Sequence, residues 1–284
     1  MVESDAWGLA ADAARAAGVE LRPLTTLEDA DSILRVMVAT WGEHQLVPRE
    51  MIRALADSGN VPYGAVKGGE LVGYVLGWMA LDADGPHVHS HMLAVLPDLR
   101  SGGVGLALKL AQRAQALEAG YRVVRWTFDP LQARNANFNL NKLGTVCDRF
   151  HRNFYGRMAD AINRGDRSDR LVVRWDLEAP LGPRPIPLEP GPTLIRSTGR
   201  PESRSPESEE PSAATNARAV IPSDYPELKA RDPDLAQRWR DAVGEVLEAC
   251  FGLGMIVTGF VRGRGGGDPQ YVLASQPPAA RSSP

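Results

Sequence analysis

Apolar and polar positions along the chain fall into short periodic runs that predict alternating helices and strands. An Ala-rich stretch predicts a short helix over Ser4–Ala17, and Val19–Leu24 reads as an edge strand closed by Pro23. Leu27, Ala30, Ile33, Leu34, Met37 and Val38 then recur at helical spacing, behind Thr26 as a cap and up to about Thr40. Pro48 suits the first turn of another helix, which ends near Gly59. Two strands follow, Tyr63–Lys67 and Leu71–Met79, joined by Gly68-Gly69 as a hairpin. A third strand covers Val88–Val95, a helix covers Val104–Ala119, and Gly120 stops it. The next elements are a strand over Arg122–Phe128, a helix over Ala133–Leu143 ended by Gly144, and an alternating strand over Asp169–Leu177.

The pattern then breaks. From Pro180 to about Thr215 the chain is crowded with Pro, Ser, Glu and Gly, and it carries too little apolar surface to offset the entropy of ordering. Periodicity returns with a helix over Asp234–Cys250, a strand over Gly254–Val261, a Gly-rich turn and a last strand over Tyr271–Ala274. One helix and two strands are too few for an independent core, so this block is expected to complete the sheet of the preceding part. The expected division is an N-terminal helix or extension (1–20), a main domain (21–178), a disordered linker or loop (179–216), a completing helix and strands (217–276) and a disordered tail (277–284).

Composition narrows the class. With 43% hydrophobic and 24% charged residues the chain can bury a sizeable core. A net charge of −3 gives no general attraction to nucleic acid or to an anionic membrane. Neither partner is expected. Two distant cysteines, Cys147 and Cys250, make a disulfide framework an unneeded assumption, and no apolar run is long enough to span a bilayer. A soluble, cytoplasmic protein is the expectation.

The sharpest chemical signal is Arg100-Ser101-Gly102-Gly103-Val104-Gly105, between the strand ending at Val95 and an amphipathic helix. Amides at a helix start lack intrahelical partners, and the helix dipole adds positive potential there. Glycines let an anion approach the backbone, and Arg100 can add a charged contact. The turn is therefore a candidate phosphate cradle. It is not a P-loop, because Lys109 is neither correctly spaced nor followed by Ser or Thr, and it lacks the third glycine of a dinucleotide fingerprint.

Arg100-x-x-Gly103-x-Gly105 resembles the signature of the GNAT superfamily of N-acetyltransferases, and its setting is similar too. Leu93–Val95 precedes it, Pro97-Asp98 makes the intervening turn, and the helix ending Lys142-Leu143-Gly144 resembles a later element of that superfamily. HSHMLAV, WTFDPL, RNANFN, NFYG and SDRLVVRW look like a poorly characterised bacterial branch of it. The resemblance covers roughly Leu21–Leu177. It implies an α/β fold with a mixed, mostly antiparallel sheet, splayed central strands and flanking helices. It also implies an acyl-CoA-dependent N-acyltransferase that moves an acetyl or succinyl group directly to the amine of a small molecule or amino acid. Acetyl-CoA is the default donor, succinyl-CoA the alternative, and no metal is implied. Amides of Leu93, Ala94 and Val95 would hold pantetheine, those of Arg100, Ser101, Gly102, Gly103, Val104 and Gly105 the pyrophosphate, and Asn135 is a further cofactor candidate. A homodimer is left open.

Direct transfer needs a base for the amine and an acid for the departing thiolate. His89 and His91 sit two apart on the cofactor-side strand, hence on one face, and serve either as base or as hydrogen-bonded structural histidines. The position where the superfamily often carries a tyrosine acid is Leu140, a departure that also admits a non-catalytic acyl-CoA-binding module. Tyr155 is the replacement to consider, against the alternative of a buried aromatic. Asp129 could orient an amine or cap the turn after its strand. Asp169-Arg170 reads as an ion pair or an acidic-substrate contact, and Arg149, His151, Arg152 and Arg157 as an anionic-acceptor site or a solvated helix face. An enzyme acting on protein or peptide termini is the remaining alternative.

Overall fold

The computed structural model describes residues 2–43, 46–156, 158, 165–186, 191–199, 204–211, 216–263 and 267–275. Arg157 lies outside them. The chain divides into two compact units. One comprises Met1–Trp126, Ala159–Arg164 and Asp176–Glu178; the other comprises Thr127–Met158, Gly165–Trp175 and Ala179–Pro284. The fold is mixed α/β, with a mostly antiparallel open sheet flanked by helices. Among the described residues, no helix is long and apolar enough to cross a membrane.

The first unit contains α1 (Val2–Ala17), β1 (Glu20–Pro23), α2 (Leu27–Trp41), α3 (Arg49–Asp57), β2 (Tyr63–Lys67), β3 (Glu70–Asp82), β4 (Gly85–Val95) and α4 (Val104–Glu118). β5 (Val123–Phe128) begins in it, and the division falls between Trp126 and Thr127. The strands lie in the order β1-β2-β3-β4-β5, antiparallel except for the last pair. Thr26 and Asp29 form a reciprocal capping box that starts α2. Ile33, Val36 and Met37 of α2 and Ile52 of α3 bury against Tyr74, Leu76 and Ala94 on one face of the sheet. Val104 and Leu108 of α4 bury against Val75 and Ala65 in a separate cluster, with Leu93 and Val95 packed beside them. α1 packs along α4.

The second unit contains α5 (Ala133–Ala136), β6 (Val146–His151), β7 (Arg170–Asp176, its last residue excepted), β8 (Thr193–Thr198), β9 (Ser205–Ser208), β10 (Asn216–Val220), α6 (Tyr225–Arg231), α7 (Pro233–Gly252), β11 (Met255–Val261) and β12 (Gln270–Ser275). Its strands run in the order β7-β6-β11-β12-β10-β8-β9. Three expectations change here. The segment 179–216 is not structureless: β8 pairs in parallel with β10 and antiparallel with β9, because adjacent Leu194 and Ile195 are both buried. The expected helix Ala133–Leu143 is one α-turn followed by π-helical Asn137–Lys142, in which Leu140 is fully buried. Arg149 and His151 lie on strand β6, not on a helix face.

The block after residue 217 joins its neighbours through β11, which pairs with β6, and through a buried ionic hub. Arg240 of α7 is 1% exposed and grips Asp129 with two bonds, Nη1 to Oδ1 at 2.6 Å and Nη2 to Oδ2 at 2.8 Å. Its Nε and Nη2 also donate to Asp166, at 3.0 and 2.7 Å, and Tyr225 donates its hydroxyl to Asp166 at 2.8 Å. Two carboxylates around one guanidinium satisfy one another only while all three remain. Arg240→Met should therefore lower stability by about 3–5 kcal/mol in urea unfolding at neutral pH. Arg240 holds the Asp166 carboxyl below its ordinary value. That contribution is present above the ordinary carboxylate range, and in the wild type it should fade as pH falls through it.

Candidate active site

β4 is paired with β3 along its whole length, from Gly85 to Val95. With β5 it pairs only at Val88–Val124 and His89–Arg125. Beyond His89, the β5-side edge of β4 has no strand partner among the described residues. Leu93, Ala94 and Val95 lie in this open stretch, where a ligand with amide groups could take the place of a strand. The β3–β4 register also shifts: Gly77 pairs with Ser90 and Leu76 with Met92, which leaves His91 as the extra residue of a bulge. Gly77 is required there, because a Cβ would stand 2.5 Å from the His89 carbonyl oxygen.

After β4 the chain makes a 3₁₀ turn, Pro97–Leu99, and then the glycine-rich turn. Arg100 N–H donates to Pro97 O and Gly102 N–H to Leu99 O. Ser101 (φ 72°) and Gly103 (φ 91°) both adopt the left-handed region, and Gly103 starts α4 with no side-chain cap. The amides of Ser101, Gly103, Val104 and Gly105 have no protein partner among the described residues. Arg100, Ser101 and Gly102 are exposed, Gly103 and Gly105 half-buried, and Val104 buried, so of these donors Ser101 lies at an exposed residue. Arg100 is tethered by its Nε to Val95 O at 3.3 Å. The arrangement fits a diphosphate.

His89 and His91 meet on one face of β4 despite the bulge. Their ring centroids are 5.9 Å apart, and each lies about one ring-width from Trp78, at 5.0 and 4.9 Å. Neither imidazole has a hydrogen-bond partner among the described residues, and both rings are held by packing against Trp78. Desolvation, aided by the charges of His91, His87 and Lys109, pushes His89 down to about 4. His91 is exposed but moves in the same direction through partial desolvation against its neighbours. Both rings are thus poised as neutral bases at neutral pH.

The opposite face of β4 holds a residue that the sequence pattern concealed. Lys109 of α4 is 2% exposed; its Nζ donates to Ser90 Oγ at 2.7 Å and Gln112 Oε1 at 3.1 Å and lies 3.7 Å from the Trp126 ring centre. It has no carboxylate partner among the described residues, and burial drives its pKa well below that of an ordinary lysine. The only hint in the sequence was its position in ALKLA, between two leucines that face the core.

Tyr155, Asp129 and Asn135 belong to the other unit. Tyr155 is 41% exposed, not buried; its hydroxyl lies 3.2 Å from Thr127 Oγ1 and its ring faces the Arg170 guanidinium. Asp129 accepts from the Leu131 amide at 2.9 Å and is bound by Arg240, so it is a structural carboxylate. Asn135 is exposed on α5. Asp169 is fully buried and ion-paired with Arg167, and Arg152 pairs with Glu248.

Residues 27–144 match the sequence model of the acetyltransferase (GNAT) family. No curated protein matches the chain. Solved structures that resemble it include the ribosomal-protein-S18-alanine N-acetyltransferase of Escherichia coli, at 15% identity and a TM-score of 0.46 over 57% of this chain and 96% of that one. Another is Naa20 of Chaetomium thermophilum in complex with a bisubstrate analogue, at 18% identity and a TM-score of 0.45 over 56% and 86%. An aminoglycoside acetyltransferase from an uncultured soil metagenomic sample, in complex with sisomicin, shows 18% identity and a TM-score of 0.39 over 43% and 84%.

The turn and the histidine pair each make a checkable demand. Gly103→Ala should cost about 1 kcal/mol in thermal unfolding, because a side chain is disfavoured at its positive φ. Gly105→Ala should be nearly neutral, since its Cβ would meet no atom closer than 3.9 Å. His89 binds a proton less readily folded than unfolded, so it lowers stability as pH falls from about 6.5 towards 4. His89→Gln should remove up to about 2 kcal/mol of that acid-side loss, read from urea midpoints at pH 7 and pH 4.5.

Proposed function

The chain carries an acetyltransferase domain of the GNAT family over residues 27–144, and from that premise we propose that it transfers an acyl group from acyl-CoA to an amine. The observation that carries this reading is the unpaired edge of β4 running directly into four unpaired amides at the start of α4. Pantetheine would lie along Leu93–Val95, and the diphosphate would sit on Ser101–Gly105 beside Arg100. Acetyl-CoA is the proposed donor, with succinyl-CoA as the alternative. The proposed acceptor is a small amine or amino acid.

His89 would take the proton from the attacking nitrogen, with His91 beside it as a second base or acceptor contact. Desolvation keeps His89 unprotonated across the physiological range while lowering its affinity for the proton it would take. As the carbon–sulfur bond of the tetrahedral intermediate breaks, the thiolate needs a proton, and Tyr155 is the proposed donor. A second reading is a CoA-binding module without turnover. Full burial of Leu140 favours it, because that segment supplies no hydroxyl.

Calorimetry with CoA, acetyl-CoA and succinyl-CoA tests the donor site. Gly103→Glu should abolish binding in a folded protein by placing bulk and negative charge in the cradle, and retained affinity would refute the site. Thiol release against a panel of amino acids, aminoglycosides and free-N-terminus peptides then tests turnover. His89→Ala and Tyr155→Phe should each lower kcat by about 10²-fold with little change in donor affinity. Donor binding without thiol release on any acceptor would favour the module.

A further inference from the structure

The Asn153–Gly156 turn carries Tyr155 at the surface, yet its backbone is held by deeply buried groups. Asn153, at φ 52°, donates its amide to Asp169 Oδ1 at 3.0 Å. Phe154 N–H donates to Ser168 O at 2.9 Å and Tyr155 N–H to Ser168 Oγ at 2.9 Å. The Ser168 hydroxyl in turn donates to Gly156 O at 2.8 Å. Ser168 and Asp169 are 2% and 0% exposed. Three successive amides are thus fixed by two consecutive residues from another strand entry.

That pair is itself anchored on α7. Arg167 binds Asp169 with two bonds, Nε to Oδ1 at 2.7 Å and Nη2 to Oδ2 at 2.9 Å. Its Nη1 donates to Asp241 Oδ1 at 2.7 Å and its Nη2 to the Arg240 carbonyl at 3.2 Å. Gly244, in the interior of α7, explains how they fit. A Cβ there would lie 3.0 Å from Arg167 Nη2 and 3.2 Å from Asp169 Oδ2. A helix-interior glycine costs about 1 kcal/mol relative to alanine, and here the missing methyl group leaves room for the ion pair.

We propose that the Arg167–Asp169 pair, seated on Gly244 of α7, is a positioning device for Tyr155, with Ser168 as its contact to the turn. None of these four residues touches the reacting groups. They act by fixing the backbone from which the tyrosine hydroxyl is presented. This rests on the reading that Tyr155 serves the transfer. It gives the C-terminal helix, outside the matched residues 27–144, a share in the reaction.

The test uses the full chain with Gly244→Ala and Ser168→Ala, a pair chosen so that the milder serine variant remains informative if the helix variant fails to fold. Amide hydrogen exchange at residues 153–155 should quicken by at least about tenfold in the variants while the β3 and β4 amides keep their protection. Unchanged exchange at 153–155 in folded variants overturns the proposal. In thiol release, kcat should fall towards that of Tyr155→Phe, KM for the donor should hold, and Ser168→Ala placed on Tyr155→Phe should cost nothing more. An additive loss in that double variant also overturns it. If exchange quickens but Tyr155→Phe turns over like the wild type, the positioning of the turn stands and the acid role of Tyr155 falls.

Discussion

A β-strand must satisfy two rows of backbone groups, and among the described residues β4 has a strand partner along the whole of only one of them. Its pairing with β5 stops after His89, so the rest of that edge needs another source of donors and acceptors. The chain that follows continues the same demand, since the turn leads into α4 with amides that no group among the described residues accepts. The remainder of the first unit serves this geometry. α2 and α3 bury one face of β3 and β4, α4 buries the other, and Gly77 admits the bulge at His91.

The parts legible in the sequence were those written in local chemistry. Glycines between a strand and a helix announced a tight turn and the start of α4 whatever the rest of the chain does. Period-two spacing placed His89 and His91 on one face, and the bulge at His91 preserved the outcome without being foreseeable, since it depends on the β3 register. The helix α7 was visible because its apolar period is regular, and β7 from its apolar content, although β7 buries successive residues on both faces where an alternating strand was expected. Segment 179–216 was not: β8 and β9 are short and rich in polar residues, and they are ordered by partners distant in sequence rather than by their own pattern.

Charged residues were the hardest to read. Asp129, Asp169, Arg170 and Arg152 each admitted a site reading beside a structural one, because a carboxylate or guanidinium carries chemistry wherever it is free, and the turn cap expected of Asp129 is present. The structure engages Asp129 with Arg240, 111 residues away, and Asp169 with Arg167. Such pairings are set by tertiary packing, and nothing at sequence level distinguishes a carboxylate bound inside a core from one facing a cleft. Lys109 presents the converse case, a cation to which the sequence reading gave no role and whose neighbours are Ser90, Gln112 and Trp126.

That lysine has a chemical corollary. Burial without a counter-ion among the described residues biases its amine towards the unprotonated form, which is the nucleophilic form. Enclosure by Ser90, Gln112 and the Trp126 ring withholds that nucleophile from solvent, so the packing around Lys109 insulates it against modification by dissolved electrophiles.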